Sequence, residues 1–148
     1  NLAGRYIELA LRRGFEQIMQ EKILRPLQMR GTNFSSLNAI NPSGGAQSTA
    51  NDYINFCSML LNKGMFNGKR ILSETSVQYL LQSHTTSSMI KYAPKVAEGY
   101  NYAAGSWVIQ TDSNGNPSVL ASPGLFGTWP MIDLCRNYAV NSTTTVCY

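Results

Sequence analysis

Residue types that could do chemistry occur, first, in two short motif matches at separate places in the sequence and, second, in one turn-rich stretch. Ser88-Met89-Ile90-Lys91 has the spacing Ser-x-x-Lys, in which a lysine amine can accept the proton of a nucleophilic serine. Tyr53-Ile54-Asn55 has the spacing Tyr-x-Asn. With 15 serines and 5 lysines in the chain, about 0.5 matches to Ser-x-x-Lys are expected by chance. Ser88 falls in a segment without regular periodicity and Tyr53 on the apolar face of a predicted helix, so we interpret both matches as coincidental.

The second place is the turn-rich stretch Leu120–Asp133. Ser122-Pro123-Gly124 ends one extended run, and Gly127-Thr128 opens the next. Backbone N–H groups at such a corner can be left outside the hydrogen bonding of a sheet, because proline donates none and glycine permits close approach. The stretch could therefore present N–H groups to a ligand. A glycine-rich β-turn without any chemistry has the same composition, and that alternative stays open at this point.

The composition excludes several classes of function. With 148 residues, of which 43% are hydrophobic and 14% charged, the chain is long enough for one globular domain with a neutral, polar surface. The net charge of +4 is spread along the chain rather than clustered with aromatic residues, so nucleic-acid binding is not expected. No apolar run reaches the ~18 residues that a transmembrane helix needs, so no transmembrane segment is expected.

The cysteines and the single histidine do not form a metal-binding pattern. Cys57, Cys135 and Cys147 lack C-x-x-C spacing, and His84 alone cannot complete a zinc site. We therefore predict no metal and no cofactor. Cys57 lies in a helical apolar pattern and is interpreted as a small core residue. Cys135 and Cys147 could form a disulfide if their strands are neighbours, which the sequence leaves open.

Apolar periodicity predicts the helices that would position these residues. The spacing indicates helical segments over residues 3–20 and 21–27, a third between Thr49 and Lys63, and a fourth from Ser73 to about Gln82. Gly14 weakens the middle of the first segment. Thr49 and Asp52 have the spacing of a capping box, which marks the start of the third segment. Lys63-Gly64 marks its end, because glycine readily takes the left-handed cap conformation. A turn is predicted next, at Asn67-Gly68-Lys69.

The second half of the chain is predicted to be a β-meander. Alternating and β-branched runs indicate strands over residues 104–110, 118–121, 131–133 and 138–140, joined by hairpin turns at Asn114-Gly115 and Cys135-Arg136-Asn137. Residues 83–101 have no sustained period and are predicted to be a long surface loop. Helices over about residues 1–82, this loop and an antiparallel meander over 102–148 together predict an α+β fold.

Several segments of the chain, in sequence order, resemble the serine β-lactamase-like superfamily, which includes class C β-lactamases, penicillin-binding proteins and esterases. Ile23–Phe34 is similar to its i-x-x-PLGM-x-x-T-x-F segment, and Gly44–Tyr53 to its GG-x-x-STA-x-D-l segment. Similarity continues through Leu60–Ser73, through the Y-x-x-GW-like strand Tyr102–Trp107, and through Ser122–Asp133. The resemblance covers nearly the whole chain and implies a β-lactamase/transpeptidase-like fold.

The resemblance also implies where the catalytic groups lie. Leu2-Ala3-Gly4 is similar to the turn that follows the family's Tyr-x-Asn motif, so this motif and the nucleophile motif Ser-x-x-Lys are expected upstream of Asn1. The matches at Ser88 and Tyr53 stand in the reverse order. We therefore expect no catalytic side chain in this chain. The chain is interpreted as the C-terminal portion of a hydrolase, inactive on its own.

The remaining family motif gives the candidate site residues. Ser122-Pro123-Gly124 stands where the family has Lys-Thr-Gly or His-x-Gly. Ser122 can hydrogen-bond a substrate but brings no positive charge, which disfavours a strong β-lactamase and leaves an esterase, a peptidase or an inert relative. The resemblance implies that Ser122, Gly124 and Leu125 bind substrate. It further implies that the backbone N–H of Leu125 is one of two donors to the oxyanion.

Two functions follow from these expectations. The first is the C-terminal segment of a serine hydrolase that acts through an acyl-enzyme on an ester, an amide or a β-lactam. Its partners would be a small-molecule or peptide substrate and the remaining N-terminal part of the parent protein, and its location would be the bacterial periplasm or the exterior. The alternative is a non-catalytic binding or structural module of the same fold, which holds a peptide or a cell-wall glycan.

Overall fold

The computed structural model describes residues 1–34, 40–124 and 127–142. In this part of the chain helices come first and an antiparallel sheet ends it, which confirms the predicted α+β fold class. The helices are α1 (Leu2–Leu11), α2 (Phe15–Met19), α3 (Ala50–Leu61) and α4 (Glu74–Leu81). The strands are β1 (Met65–Phe66), β2 (Lys69–Arg70), β3 (Asn101–Tyr102), β4 (Trp107–Thr111), β5 (Pro117–Ala121), β6 (Trp129–Asp133) and β7 (Tyr138–Ser142).

The predicted helix over residues 3–20 is two helices, which corrects the interpretation of the sequence. α1 ends where Arg12 takes a left-handed conformation with φ of 52°. The carboxylate of Glu8, in the last turn of α1, accepts the N–H of Phe15 at 2.9 Å. This bond satisfies one of the N–H groups that the first turn of α2 leaves without a helical acceptor. The break between α1 and α2 depends on this contact between Glu8 and Phe15, and apolar periodicity carries no information on it.

The predicted helix over residues 21–27 is also corrected, because a π-helical turn takes its place. Gln20–Leu24 continues α2 with wider hydrogen bonds, such as that from the N–H of Arg25 to the carbonyl of Gln20 at 3.0 Å. Arg25 caps this turn, and Pro26, the next residue, has no N–H with which to extend it.

The apolar face of α1 is exposed in this chain. Leu2 is 87%, Tyr6 72% and Leu9 63% exposed, and Gly4 is the buried residue of the helix. Gly4 packs so closely on Pro42 that an added Cβ would lie 2.5 Å from the Pro42 ring. The periodicity therefore predicted the helix, but the partner of its apolar face is absent from the described residues.

Helix α3 begins at the predicted cap. The Thr49 hydroxyl accepts the N–H of Asp52 at 3.2 Å. The Asp52 carboxylate turns away from the cap and accepts the N–H of Gly31 at 2.8 Å and the hydroxyl of Thr32 at 2.7 Å. Asp52 is buried, so these charge-assisted bonds tie the start of α3 to the loop after the π-helical turn.

The hairpins follow the predicted turns. In the β1–β2 hairpin, Asn67 and Gly68 both have positive φ, at 46° and 74°, as a two-residue type I′ turn requires. Strands β3 to β7 form one antiparallel meander in chain order. The predicted strand over 104–110 begins later, at Trp107, because the N–H of Ala103 donates to the carbonyl of Ser106 at 2.8 Å and closes a turn. The predicted loop over 83–101 contains two 3₁₀ turns.

Two apolar clusters meet at α3. The first cluster lies between α3 and the meander and consists of Cys57, Ala103, Val108, Leu120 and Ile132. The second lies between α3 and the π-helical turn and consists of Leu24, Leu27, Met29 and Met59. Cys57 and Met59 therefore bury opposite sides of one helix, and α3 holds the two halves of the structure together.

Burial changes the acidity of the core thiol. Desolvation disfavours the thiolate and raises the pKa of Cys57 to about 11. The thiol is therefore neutral at physiological pH, as expected for a small core residue.

We predict that replacing Asp52 with alanine destabilises the fold. The substitution removes the acceptor of the Gly31 N–H and of the buried Thr32 hydroxyl, and the free energy of unfolding should fall by about 2 kcal/mol in urea denaturation. The control is Asn51→Ala, on the exposed side of the same turn, with an expected change within about 0.5 kcal/mol. Equal effects of the two substitutions would contradict the anchoring role of Asp52.

We also predict that Cys57 resists alkylation. At pH 8 a thiol with a pKa of about 11 is only ~0.1% thiolate, so iodoacetamide should modify Cys57 at least about a hundredfold more slowly than the exposed Cys135. Between pH 7 and pH 9 the rate at Cys57 should rise about tenfold per pH unit, because the thiolate fraction does. Peptide mapping by mass spectrometry separates the two sites. Similar rates at pH 8 would show that α3 does not bury the thiol in solution.

Candidate active site

The corner between β5 and β6 begins at Ser122. Two of its backbone N–H groups, which the sequence analysis expected to be available to a ligand, are hydrogen-bonded within the chain. The N–H of Ser122 donates to the carbonyl of Pro130 at 3.1 Å, and the N–H of Gly124 donates to the carbonyl of Thr128 at 2.7 Å. The expectation of free donors is therefore wrong for these two residues. Leu125, the predicted oxyanion donor, lies outside the described residues, so its role stays a prediction.

The side chain of Ser122 remains available. It is half-buried, and its hydroxyl makes no hydrogen bond with another described residue. Trp107 pairs with Ala121 in the β4–β5 ladder, so extending that register by one residue brings Ser106 opposite Ser122. Ser106 is also half-buried, and its hydroxyl likewise has no partner within the described ranges. The corner therefore presents two serine hydroxyls, of which the motif comparison indicated only Ser122.

Both serines line a cavity of about 290 Å³ between α3, the end of α4 and the meander. The remaining lining residues are Tyr53, Phe56, Cys57, Leu60, Leu80, Leu81, Ala104, Gly105, Leu120, Ala121, Pro130, Met131 and Ile132. None of these side chains carries a charge at neutral pH. The cavity is thus an apolar space whose polar side-chain groups are two serine hydroxyls, one phenol and one thiol.

The titratable groups of the cavity favour their neutral forms. Burial raises the pKa of Tyr53 as it does that of Cys57, because both anions would lose hydration there. Neither side chain is therefore activated as a nucleophile. The lining therefore offers apolar contacts and neutral polar groups, but no activated nucleophile. The sequence did not predict the cavity, because the α3 residues that line it belong to the apolar pattern typical of any core helix.

The two motif matches are not brought together as a catalytic pair. Ser88 lies in an exposed 3₁₀ turn, where its hydroxyl is 2.8 Å from that of Thr86. Tyr53 lies in α3 against the sheet. Among the described residues, neither Lys91 nor any other base contacts the hydroxyl of Ser88. The structure therefore agrees with the interpretation of both matches as coincidental.

The C-terminal end of the stretch Leu120–Asp133 is held by the buried carboxylate of Asp133. Asp133 is 1% exposed and accepts the N–H and a guanidinium N–H of Arg136, each at 2.8 Å. These bonds from Arg136 lower the pKa of Asp133 below its ordinary value. Asp133 thereby holds the β6–β7 turn in shape, and it lies at the far end of β6 from the corner.

The described part of the chain holds no group of three or more His, Cys, Asp or Glu side chains that could bind a metal ion. None of its helices is long and apolar enough to cross a membrane. Cys135 is exposed in the β6–β7 turn, and the disulfide considered for it involves Cys147, which lies outside the described residues.

Solved structures share this architecture. A provisionally assigned beta-lactamase from Bacteroides dorei DSM 17855 superposes with a TM-score of 0.77 at 26% identity, over 95% of this chain and 46% of that one. A family VIII carboxylesterase superposes with a TM-score of 0.76 over 98% of this chain and 50% of that one. At 12% identity the second likeness shows the fold alone.

Sequence comparison gives the family. Protein Rv1367c of Mycobacterium tuberculosis (strain ATCC 25618 / H37Rv) is 29% identical over 114 residues, which cover 68% of this chain and 28% of that protein. The chain thus spans half or less of the length of each of these three proteins. The sequence profile described as Beta-lactamase matches residues 1–145. Since that match covers almost the whole chain, the chain belongs to the Beta-lactamase family.

Proposed function

We propose that this chain forms the sheet side of the active site of a serine hydrolase that cleaves esters or amides through an acyl-enzyme. The observation that carries the proposal is the Ser122 hydroxyl, which lies without a described partner at the end of β5 and lines an apolar cavity. A half-buried hydroxyl without a partner can hydrogen-bond a bound substrate at little cost in reorganisation. The family to which the chain belongs supports hydrolysis as the reaction.

Ser122, Gly124 and Leu125 have separate roles in this proposal. Ser122 donates to or accepts from a polar atom of the substrate. Gly124 lets the substrate approach the backbone closely, while its N–H and that of Ser122 hold the corner in place. The family resemblance assigns the N–H of Leu125, which lies outside the described residues, to the oxyanion of the tetrahedral intermediate.

The nucleophile and its base are proposed to come from a part of the parent protein outside this chain. The described residues offer no serine in contact with a base, and the relatives are about twice as long as this chain or longer. An ester or amide suits the site better than a β-lactam, because no cation among the described residues lines the cavity to bind a carboxylate.

A binding or structural module of the same fold is the second candidate. It is favoured by the same absence of charge at the Ser122 position, because a module that only holds a neutral peptide or glycan needs hydrogen bonds and apolar contact but no electrophile activation. It differs from the hydrolase in forming no covalent intermediate.

We predict that the isolated chain hydrolyses neither nitrocefin nor a nitrophenyl ester above the uncatalysed rate. Ser88→Ala and Lys91→Ala should leave this result unchanged, because neither residue faces a partner with which it could form a nucleophile. Absorbance assays at micromolar enzyme measure both reactions. Hydrolysis by the unmodified chain that Ser88→Ala abolishes would overturn the assignment of the nucleophile to another part of the protein.

We predict that the native polypeptide containing this chain is labelled covalently by a fluorophosphonate probe. Ser122→Ala in that polypeptide should lower kcat/KM for a nitrophenyl ester about tenfold, because one hydrogen bond to the substrate is lost. Ser113→Ala, in the exposed β4–β5 turn, is the matched control and should leave kcat/KM unchanged. Absence of labelling together with retained peptide or glycan binding would overturn the hydrolase and support the binding module.

A further inference from the structure

The sequence contains two Asn-Gly pairs, and the structure places each at the tip of a hairpin: Asn67-Gly68 between β1 and β2, and Asn114-Gly115 between β4 and β5. In such a pair the backbone nitrogen of the glycine can attack the side-chain carbonyl carbon of the asparagine, because glycine has no side chain to obstruct the approach. All four residues are exposed, so access to water does not distinguish the two pairs. Their hydrogen bonding distinguishes them.

The Asn114-Gly115 turn is held by hydrogen bonds centred on Asp112. The N–H of Gly115 donates to the carbonyl of Asp112 at 3.0 Å, and the N–H of Asp112 donates to the carbonyl of Asn116 at 2.8 Å. The Asp112 carboxylate accepts the N–H groups of Asn114 and Asn116 at 2.8 and 2.9 Å. The glycine nitrogen of this pair is therefore engaged, and the turn around it is tied to one side chain.

The Asn67-Gly68 turn lacks such restraints. Neither the N–H of Gly68 nor the side chain of Asn67 has a hydrogen-bond partner among the described residues. The ladder below the turn consists of two residue pairs. Asn67 has a φ of 46°, and in a type I′ turn this left-handed conformation points the next backbone nitrogen away from the side-chain carbonyl. The turn must therefore open before the two groups can react, and few bonds oppose its opening.

We propose that Asn67 is a site of spontaneous deamidation and isoaspartate formation, and that Asn114 is protected by its turn. The Gly68 nitrogen loses its proton and bonds to the side-chain carbonyl carbon of Asn67. The bond from that carbon to the amide nitrogen breaks, and ammonia leaves with the proton. Water then opens the resulting cyclic imide at either carbonyl carbon, which leaves aspartate or isoaspartate. The reaction needs only these two residues and water, so it is independent of the proposed function.

The products change the hairpin. Either product adds a negative charge next to Lys69 and Arg70 and lowers the net charge of the chain. Isoaspartate also lengthens the main chain by one carbon, so a two-residue turn no longer matches the register of Phe66 with Lys69. Phe66 packs against the apolar cluster between α3 and the π-helical turn. A reaction at an exposed turn therefore affects the packing of α3.

The native polypeptide that contains this chain tests the proposal, because the two Asn-Gly pairs are compared within one molecule. It is incubated in mildly alkaline buffer, folded or in urea, and peptide mapping follows aspartate and isoaspartate at both positions. In the folded protein Asn67 should deamidate at least about fivefold faster than Asn114, the factor that one hydrogen bond contributes. In urea, which unfolds both turns, the two rates should agree within about twofold. Isoaspartate should accumulate at position 67, because opening of the imide produces it.

Asp112→Ala tests the protection of Asn114 directly. It removes the acceptor of the Asn114 and Asn116 N–H groups, so the rate at Asn114 should rise about fivefold or more while the rate at Asn67 stays the same. Ser113→Ala, in the same exposed turn, is the matched control and should leave both rates unchanged.

Three results would overturn the proposal. The first is deamidation of the folded protein at equal rates at Asn67 and Asn114, or faster at Asn114. The second is a product at position 67 that contains aspartate without isoaspartate, because the imide would then not be the intermediate. The third is an Asp112→Ala variant in which Asn114 reacts as slowly as before, because the turn would then not be the source of its protection.

Discussion

Helix α3 has to bury apolar side chains on two sides at once, and the rest of the described structure depends on this constraint. Cys57 packs into the cluster under the meander, and Met59 packs into the cluster beside the π-helical turn. A helix in this position cannot rotate to improve one contact without losing the other. Its start is fixed by the Asp52 carboxylate, which binds the loop at Gly31 and Thr32. The two apolar clusters and the Asp52 carboxylate together therefore fix the position of α3 over the sheet.

The cavity is a result of that fixed position. α3 contacts β6 and β7 closely, while the side toward the end of β5 is left with the apolar space that Ser106 and Ser122 line. A charged ligand would lose hydration in this space, and an apolar one would gain from leaving water. The same packing that stabilises the fold thus leaves a neutral, apolar space beside the corner.

The features that sequence predicted correctly are local ones. The Thr49 cap, the Asn67-Gly68 turn and the Asn114-Gly115 turn each depend on residues a few positions apart, whose preferred conformations the sequence states directly. The family resemblance added the order of the elements, which local patterns leave undetermined. The resemblance also identified Ser122 as a site residue and placed it at the end of a strand.

The features that sequence missed depend on contacts between distant residues. The break between α1 and α2 depends on the Glu8 carboxylate reaching the N–H of Phe15, and the late start of β4 on a turn closed by Ser106. The hydrogen bonds of Ser122 and Gly124 depend on the return of β6 beside the corner. Ser106 joined the site only because the β4–β5 register places it opposite Ser122. Periodicity describes one element at a time and carries no information on such pairings.

The exposed apolar face of α1 affects how susceptible the chain is to degradation in a cell. Leu2, Tyr6 and Leu9 present to solvent the kind of apolar surface that transiently unfolded proteins expose and that chaperones and proteases act upon. A partner that covered this face would protect the polypeptide from degradation in addition to stabilising the fold. Abundance, as well as activity, would then depend on a helix that lies outside the proposed site.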